Sequence, residues 1–245
     1  MNILVVNDDS IHAEGIALLT KAASYYGNVF VAAPKHGQSA KSAAISIKGQ
    51  IEITEVEPLF GSVRTIMVDG TPVDCVRAGM KIFDTEFDLV LSGINHGVNL
   101  ATDVHYSGTV AAAFEAKLYG VPAIAFSAAN IELPYIYDET VKLLDELIEN
   151  NLYQNTGILN VNYPAVQFKK VLGTRITKLG QRIQHSEFIK SDKPNLYHIH
   201  GSSIMFKEDE DSDITAYNEG YVSITPLQFD RTDLVKIKSI MDLNT

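Results

Sequence analysis

The chain has 245 residues, 46 % of them hydrophobic, with a mean hydropathy of +0.03, which suits one large folded unit with a sizeable core. A net charge of −10 without any basic cluster argues against a nucleic-acid duplex or an anionic membrane as the main partner, and no apolar run reaches membrane-spanning length. The first residues enter a strand-like run with no basic region or cleavage site, and the single cysteine, Cys75, leaves no intramolecular disulfide; the expectation is a cytoplasmic protein.

In chain order, residues 3–6 are a continuous apolar, β-rich run, as a strand covered on both faces requires. Residues 13–26 place Ile16, Leu18, Leu19 and Ala22 at helical spacing, and Gly27 or Asn28 can end that helix. Residues 29–33 read as a second buried strand closed by Pro34, and the small, polar residues 35–49 as a loop. Strands over 51–56 and 63–68 flank Pro58 and Gly61, and Thr71-Pro72 opens a helix through Met80. Residues 87–91 form the next strand, 110–119 a small-residue helix, 122–126 a strand, 137–149 an amphipathic helix and 158–161 a strand stopped by Tyr163-Pro164. This alternation predicts an α/β fold: a Rossmann-like, doubly wound, mostly parallel sheet with helices on both faces over about 1–166. Beyond Gln167 the pattern changes. Strand-like stretches at 171–179, 196–200 and 221–225, an acidic loop at 208–213 and a modest helix at 230–242 predict a C-terminal β-rich extension of a single 1–245 domain.

The chemistry gathers where strands end. Asp8-Asp9 follows the first strand, and in open α/β sheets ligands bind at the carboxyl ends of strands near a switch in strand order. Adjacent buried carboxylates are costly unless a cation sits between them. The plainer reading is that one Asp caps the next helix, which leaves the other without a task. Oxygen ligands favour Mg²⁺, Mn²⁺ or Ca²⁺ over zinc. Asn95-His96-Gly97-Val98-Asn99 follows another strand; alone it reads as a polar turn, but Asn side chains are neutral hard ligands or donors. Ser107-Gly108-Thr109 lies at a helix start, where free N–H groups favour an anion, although an ordinary N-cap is common there. Gln38-Ser39-Ala40-Lys41-Ser42 offers hydroxyls and one cation in what is otherwise a solvated loop. No P-loop, dinucleotide fingerprint or nucleophile elbow is present. His198 and His200 share a strand face without a third ligand, and Cys75 reads as a packed thiol.

Taken together, ILVVNDDSIHAEGI at 3–16, VDGTPVDCV at 68–76, FDLVLSGINHGVNLATDVHYSGTVAAAFEAKLYGVPAIAFS at 87–127, LNVNYP at 159–164, ITKLGQR at 176–182 and EGYVSITPL at 219–227 resemble the SurE family, the survival-protein-E nucleotidases, over nearly the whole chain. The resemblance implies a metal-dependent phosphomonoesterase acting on nucleoside 5′- and 3′-monophosphates. It implies one divalent cation per subunit, Mg²⁺ or Mn²⁺, held by the positions matching Asp8, Asp9, Ser39 and Asn95. It also implies a homodimer or homotetramer assembled through the C-terminal extension. Asp8 and Asp9 are then the expected catalytic residues, with Asn95, Asn99, Ser107, Gly108 and Thr109 at the phosphate. A water oriented by Asp8 or Asp9 is the expected nucleophile, with direct attack by Asp8 the alternative. The family usually has Gly where this chain has Ser10, often Pro where it has Glu14, and Arg-Ser-Gly where it has Gln38-Ser39-Ala40. Two rival readings are a metal-dependent deacetylase, which needs a His–Asp zinc set, and a non-catalytic nucleotide-binding or assembly protein.

Overall fold

The computed structural model describes residues 1–242. In chain order the elements are β1 (Asn2–Val6), α1 (Glu14–Ala23), β2 (Asn28–Pro34), β3 (Ile53–Val56), β4 (Arg64–Val68), α2 (Pro72–Ile82) and β5 (Leu89–His96). A 3-10 segment, Ala101–His105, leads to α3 (Gly108–Leu118), β6 (Ala123–Ala128), α4 (Ile136–Glu149), α5 (Leu152–Thr156) and β7 (Ile158–Asn162). The chain closes with β8 (Thr174–Ile176), β9 (Arg182–Lys190), β10 (Tyr197–Met205), α6 (Asp213–Asn218), β11 (Val222–Leu227) and α7 (Leu234–Asp242).

Nine strands form one sheet in the order β3-β4-β2-β1-β5-β6-β7-β11-β8. The pairs from β4 to β7 are parallel, as is β11 with β8; β3 and β11 run antiparallel to β4 and β7. The chain winds outward from β1 to β2 and β4, then returns to the other side of β1 with β5. The order therefore reverses between β1 and β5.

Why β1 is apolar from Ile3 to Val6 follows from its place. Ile3 and Val5 join the core shared with α1 and α4, whereas Leu4 and Val6 join the core under α2 and α3. All four are fully buried, and each such side chain contributes about 1.5–3 kcal/mol of burial energy. In α1, Ile16, Leu19, Ala22 and Ala23 face the sheet, and Gly15 lies so close to β5 that a Cβ there would overlap the Ile94 carbonyl oxygen. Thr71 caps α2 by accepting from the Asp74 N–H while the Asp74 carboxylate accepts from the Thr71 N–H, and Pro72 occupies the first turn. Cys75, on α2, is buried, and burial pushes its thiol well up from the ordinary range, as for an inert packed residue.

The doubly wound α/β architecture with a β-rich C-terminal extension is present as read from the sequence. Its details differ. The fifth strand runs on through His96, because Asn95 and His96 pair with Ser127 and Ala128 after a register shift. The sheet also continues beyond residue 167, since β11 and β8 extend it, and the expected strand at 171–179 shortens to β8. What stands apart is the antiparallel pair β9–β10, with Phe188 opposite Ile199. The short helix α6 takes up the end of the expected acidic loop. Asp213 is fully buried there because its carboxylate accepts from the N–H groups of Ala101, Gly180 and Ile214. No helix among the described residues is long and apolar enough to cross a membrane.

Candidate active site

A cavity of about 530 Å³ opens at the carboxyl ends of β1 and β5, where the strand order reverses. Asp8, Ser39, Asn95, Asn99 and Ser107 line it, together with Ala40, His96, Val98, Asp103, Tyr106, Gln184 and Ser186.

Asp8 leaves the end of β1 and is 4 % exposed. The Thr109 hydroxyl donates to its Oδ1 at 2.5 Å, and Gly108 packs so closely that a Cβ there would stand 3.0 Å from Asp8 Oδ2. Burial pushes the Asp8 carboxyl up to about 6; the Thr109 hydroxyl pulls it down, and the neighbouring Asp9 charge raises it. Asp9 accepts from the His96 N–H at 2.9 Å, which ties the turn after β1 to the end of β5. Neither Asp caps α1, whose N-cap is Ala13 without a side-chain bond, so the capping reading fails for both. The turn is held from within: the Asn7 amide donates to the Ser10 carbonyl at 2.7 Å, and Ser10 sits at φ 111°.

Asn95 reaches the cavity from β5, with its amide N–H on the Gly97 carbonyl at 2.7 Å and its side-chain oxygen uncommitted among the described residues. Asn99 is held on all sides. Its N–H donates to Asn162 Oδ1 at 2.8 Å, its carbonyl accepts from Asn160 at 2.8 Å and Asn162 at 3.2 Å, and its amide donates to Ser127 Oγ at 2.7 Å. One amide proton of Asn99 remains for a ligand. Ser39 comes from the loop after β2, which two contacts fix over the cavity. The Gln38 N–H donates to the Asp8 carbonyl at 2.7 Å, and Ser42 donates from its N–H to Tyr106 O at 3.0 Å and from its hydroxyl to His105 O at 2.6 Å. Lys41 is exposed and makes no ion pair among the described residues.

At the start of α3 the expected anion site is partly committed. Ser107 is the N-cap, accepting from Val110 N–H at 3.1 Å, and its own N–H donates to the Asp103 carbonyl. Thr109 is fully buried with its hydroxyl on Asp8. The Ser107 O–H, on the cavity wall, and the Gly108 N–H are what this end offers to a ligand.

The donors suit a hard cation. Two carboxylates, a hydroxyl and an amide oxygen are all oxygen ligands, and the buried Asp8 has no Lys or Arg partner among the described residues. Among those residues no three His, Cys, Asp or Glu side chains gather around one point, His12 is exposed, and His198 and His200 lie on exposed β10. The His–Asp zinc set of a deacetylase is therefore missing among the described residues.

Sequence reasoning passed over Asp103, Tyr106, Gln184 and Ser186. Gln184 and Ser186 arrive from β9, an element it did not identify. Arg182, also on β9, pairs with Asp103, and the Thr102 hydroxyl donates to the Arg182 carbonyl. Gln184 donates to Asp103 Oδ1 at 2.8 Å and accepts from the Ser203 hydroxyl at 3.1 Å.

Fold and cavity together define a doubly wound α/β protein with an acidic, oxygen-rich site at its topological switch point. The model of the family "Survival protein SurE" matches residues 3–186, and the chain belongs to that family. It is 37 % identical over 252 residues to a protein of Alkaliphilus metalliredigens named 5′-nucleotidase SurE, covering 100 % of this chain and 99 % of that one. A protein of the same name from Thermoanaerobacter sp. (strain X514) is 40 % identical over 241 residues, covering 95 % of this chain and 94 % of the other. The crystal structure of the SurE protein from Aquifex aeolicus superposes with a TM-score of 0.83 at 33 % identity, covering all of both chains.

Proposed function

We propose that the chain is a metal-dependent nucleotidase that hydrolyses nucleoside 5′- and 3′-monophosphates to nucleoside and phosphate. One observation carries the reading: the buried Asp8 is hydrogen-bonded to Thr109 in the first turn of α3, so a cation bed and a phosphate bed share one rigid corner. The names of the relatives point the same way. Asp8, Asp9, Ser39 and Asn95 would hold one divalent cation, Mg²⁺ or Mn²⁺. When bound, it supplies Lewis-acid polarisation of a phosphoryl oxygen and offsets the substrate's charge. Ser107 O–H, Gly108 N–H and the free Asn99 amide proton donate to the remaining phosphoryl oxygens as charge redistributes, and this positioning carries most of phosphoryl-transfer catalysis. Asp9, braced by the His96 N–H, orients the attacking water, and Asp8 would serve as a ligand of the cation.

Assembly and location belong to the same reading. The β9–β10 hairpin, with Phe188 and Ile199 each about two-thirds exposed, docks on a second copy to give a homodimer or homotetramer. The lone, buried Cys75 suits a reducing, cytoplasmic setting.

Phosphate release from AMP, scanned across Mg²⁺, Mn²⁺ and Co²⁺ and against chelator, tests the proposal. Chelation should remove turnover. Asp8→Asn should lower kcat at least a hundredfold with an unchanged circular dichroism spectrum, in line with losing one electrostatic contact to the transition state. Full activity in that variant with metal present would sink the assignment.

A further inference from the structure

The cavity has two unlike halves. Asp8, Ser39, Asn95 and Ser107 make an oxygen-rich floor, whereas Tyr106, Gln184 and Ser186 add an aromatic ring and neutral polar groups. Tyr106 immediately precedes the N-cap of α3, and its side chain is 56 % exposed. Its backbone is nonetheless fixed, with the N–H on the Asp103 carbonyl at 2.8 Å and the carbonyl accepting from Ser42. Among the described residues the ring and hydroxyl enter no hydrogen bond or ring contact, so an aromatic face on a fixed backbone is left free beside the phosphate bed. On the same cavity wall Gln184 is pinned at both ends by Asp103 and Ser203, yet keeps one amide proton and one oxygen lone pair. A Gln184 side chain held this firmly costs little entropy when a ligand arrives.

We propose that Tyr106 and Gln184 form the nucleoside subsite: the Tyr106 ring stacks on the base, and the Gln184 amide hydrogen-bonds the nucleoside's polar edge. The inference rests on the nucleotidase reading and assigns its substrate specificity to the junction between the core and the β9–β10 hairpin. Stacking tolerates every base, because each has a π-face, so the subsite selects nucleotides over other phosphomonoesters more than it selects one base.

Steady-state constants for AMP and glycerol 2-phosphate, measured with saturating Mg²⁺ or Mn²⁺, test it. Tyr106→Ala should raise KM for AMP about tenfold, the worth of one base–aromatic stack. It should leave glycerol 2-phosphate unchanged, and Tyr106→Phe should retain AMP binding. Gln184→Leu should likewise weaken AMP alone. Equal losses on both substrates would make the two residues supports of the phosphate bed and overturn the proposal, as would no loss on either. Wild-type turnover separates this from the parent reading. Should wild type hydrolyse neither ester, calorimetric binding of AMP against inorganic phosphate decides: selective weakening of AMP by Tyr106→Ala upholds the subsite, and unaltered AMP binding refutes it.

Discussion

Ser10 shows how a single residue can carry the strain of a site. The turn that swings Asp8 and Asp9 off the end of β1 needs φ near 111° at this position, where an L side chain meets its own backbone and glycine does not. The turn persists because the Ser10 carbonyl accepts from the Asn7 amide at 2.7 Å and from the Ala13 N–H at 3.2 Å. Ser10→Gly should therefore stabilise the protein by about 1 kcal/mol, after allowance for the extra freedom glycine gains when unfolded. The thermal midpoint should rise by roughly 2–4 °C; an unchanged or lower midpoint would show that the turn is unstrained. At this scale the sequence was informative wherever a residue's own chemistry announces a ligand. Asp8, Ser39, Asn95, Asn99 and Ser107 all reach one cavity, whereas Asp9, Gly108 and Thr109 are not among the residues that line it. It was silent on Tyr106 and Gln184, which matter only because tertiary structure brings them there, and it could not foresee that the Thr109 hydroxyl turns inward to Asp8.

Among the elements, α2 does more than cover the sheet. The Asp74 carboxylate that closes its capping box also accepts from the Ser46 N–H at 2.9 Å and the Ser46 hydroxyl at 2.8 Å, and the Thr71 hydroxyl donates to the Ala44 carbonyl at 2.7 Å. One helix start thus fastens the far end of the loop that presents Ser39. Burial alone would raise the Asp74 pKa, but the bonds from Ser46 and Thr71 outweigh it and hold the carboxyl below its ordinary value of 3.8. Its stabilising contribution is therefore complete above pH 3.8 and is lost as pH falls through the lower folded value. Asp74→Ala should cost about 1 kcal/mol near neutral pH. The gap to wild type in urea titrations should narrow as pH drops below 3.8; a gap that stays constant with pH would contradict the linkage. Elements with a buried face, such as β1, α1 and α4, were legible from apolar spacing. The strand β9 was not, because its residues are almost all exposed and carry no inward-facing pattern to read. The helix α6 was hidden by acidic neighbours, since two of the three backbone donors that hold the buried Asp213, those of Ala101 and Gly180, are distant in sequence.

For the molecule as a whole, the hairpin is the part that cannot be understood in isolation. Two strands alone are marginal in water, and Phe188 faces Ile199 across the pair with 66 % and 67 % of their surfaces exposed. Sedimentation of the wild-type chain should give a dimer or tetramer, and Ile199→Glu should shift it toward smaller species; a monomeric wild type would remove assembly from the proposal. The same hairpin ends at the cavity, through Arg182 on Asp103 and Gln184 beside it. The acids, Asn95 and the start of α3 belong instead to the central sheet and the helix bolted to Asp8. The floor of the cavity and the wall that Gln184 and Ser186 add to it are therefore carried by different parts of the chain and are separately heritable. A lineage can vary its hairpin, and with it Gln184 and Ser186, while Asp8, Asn95 and the start of α3 pass on unaltered.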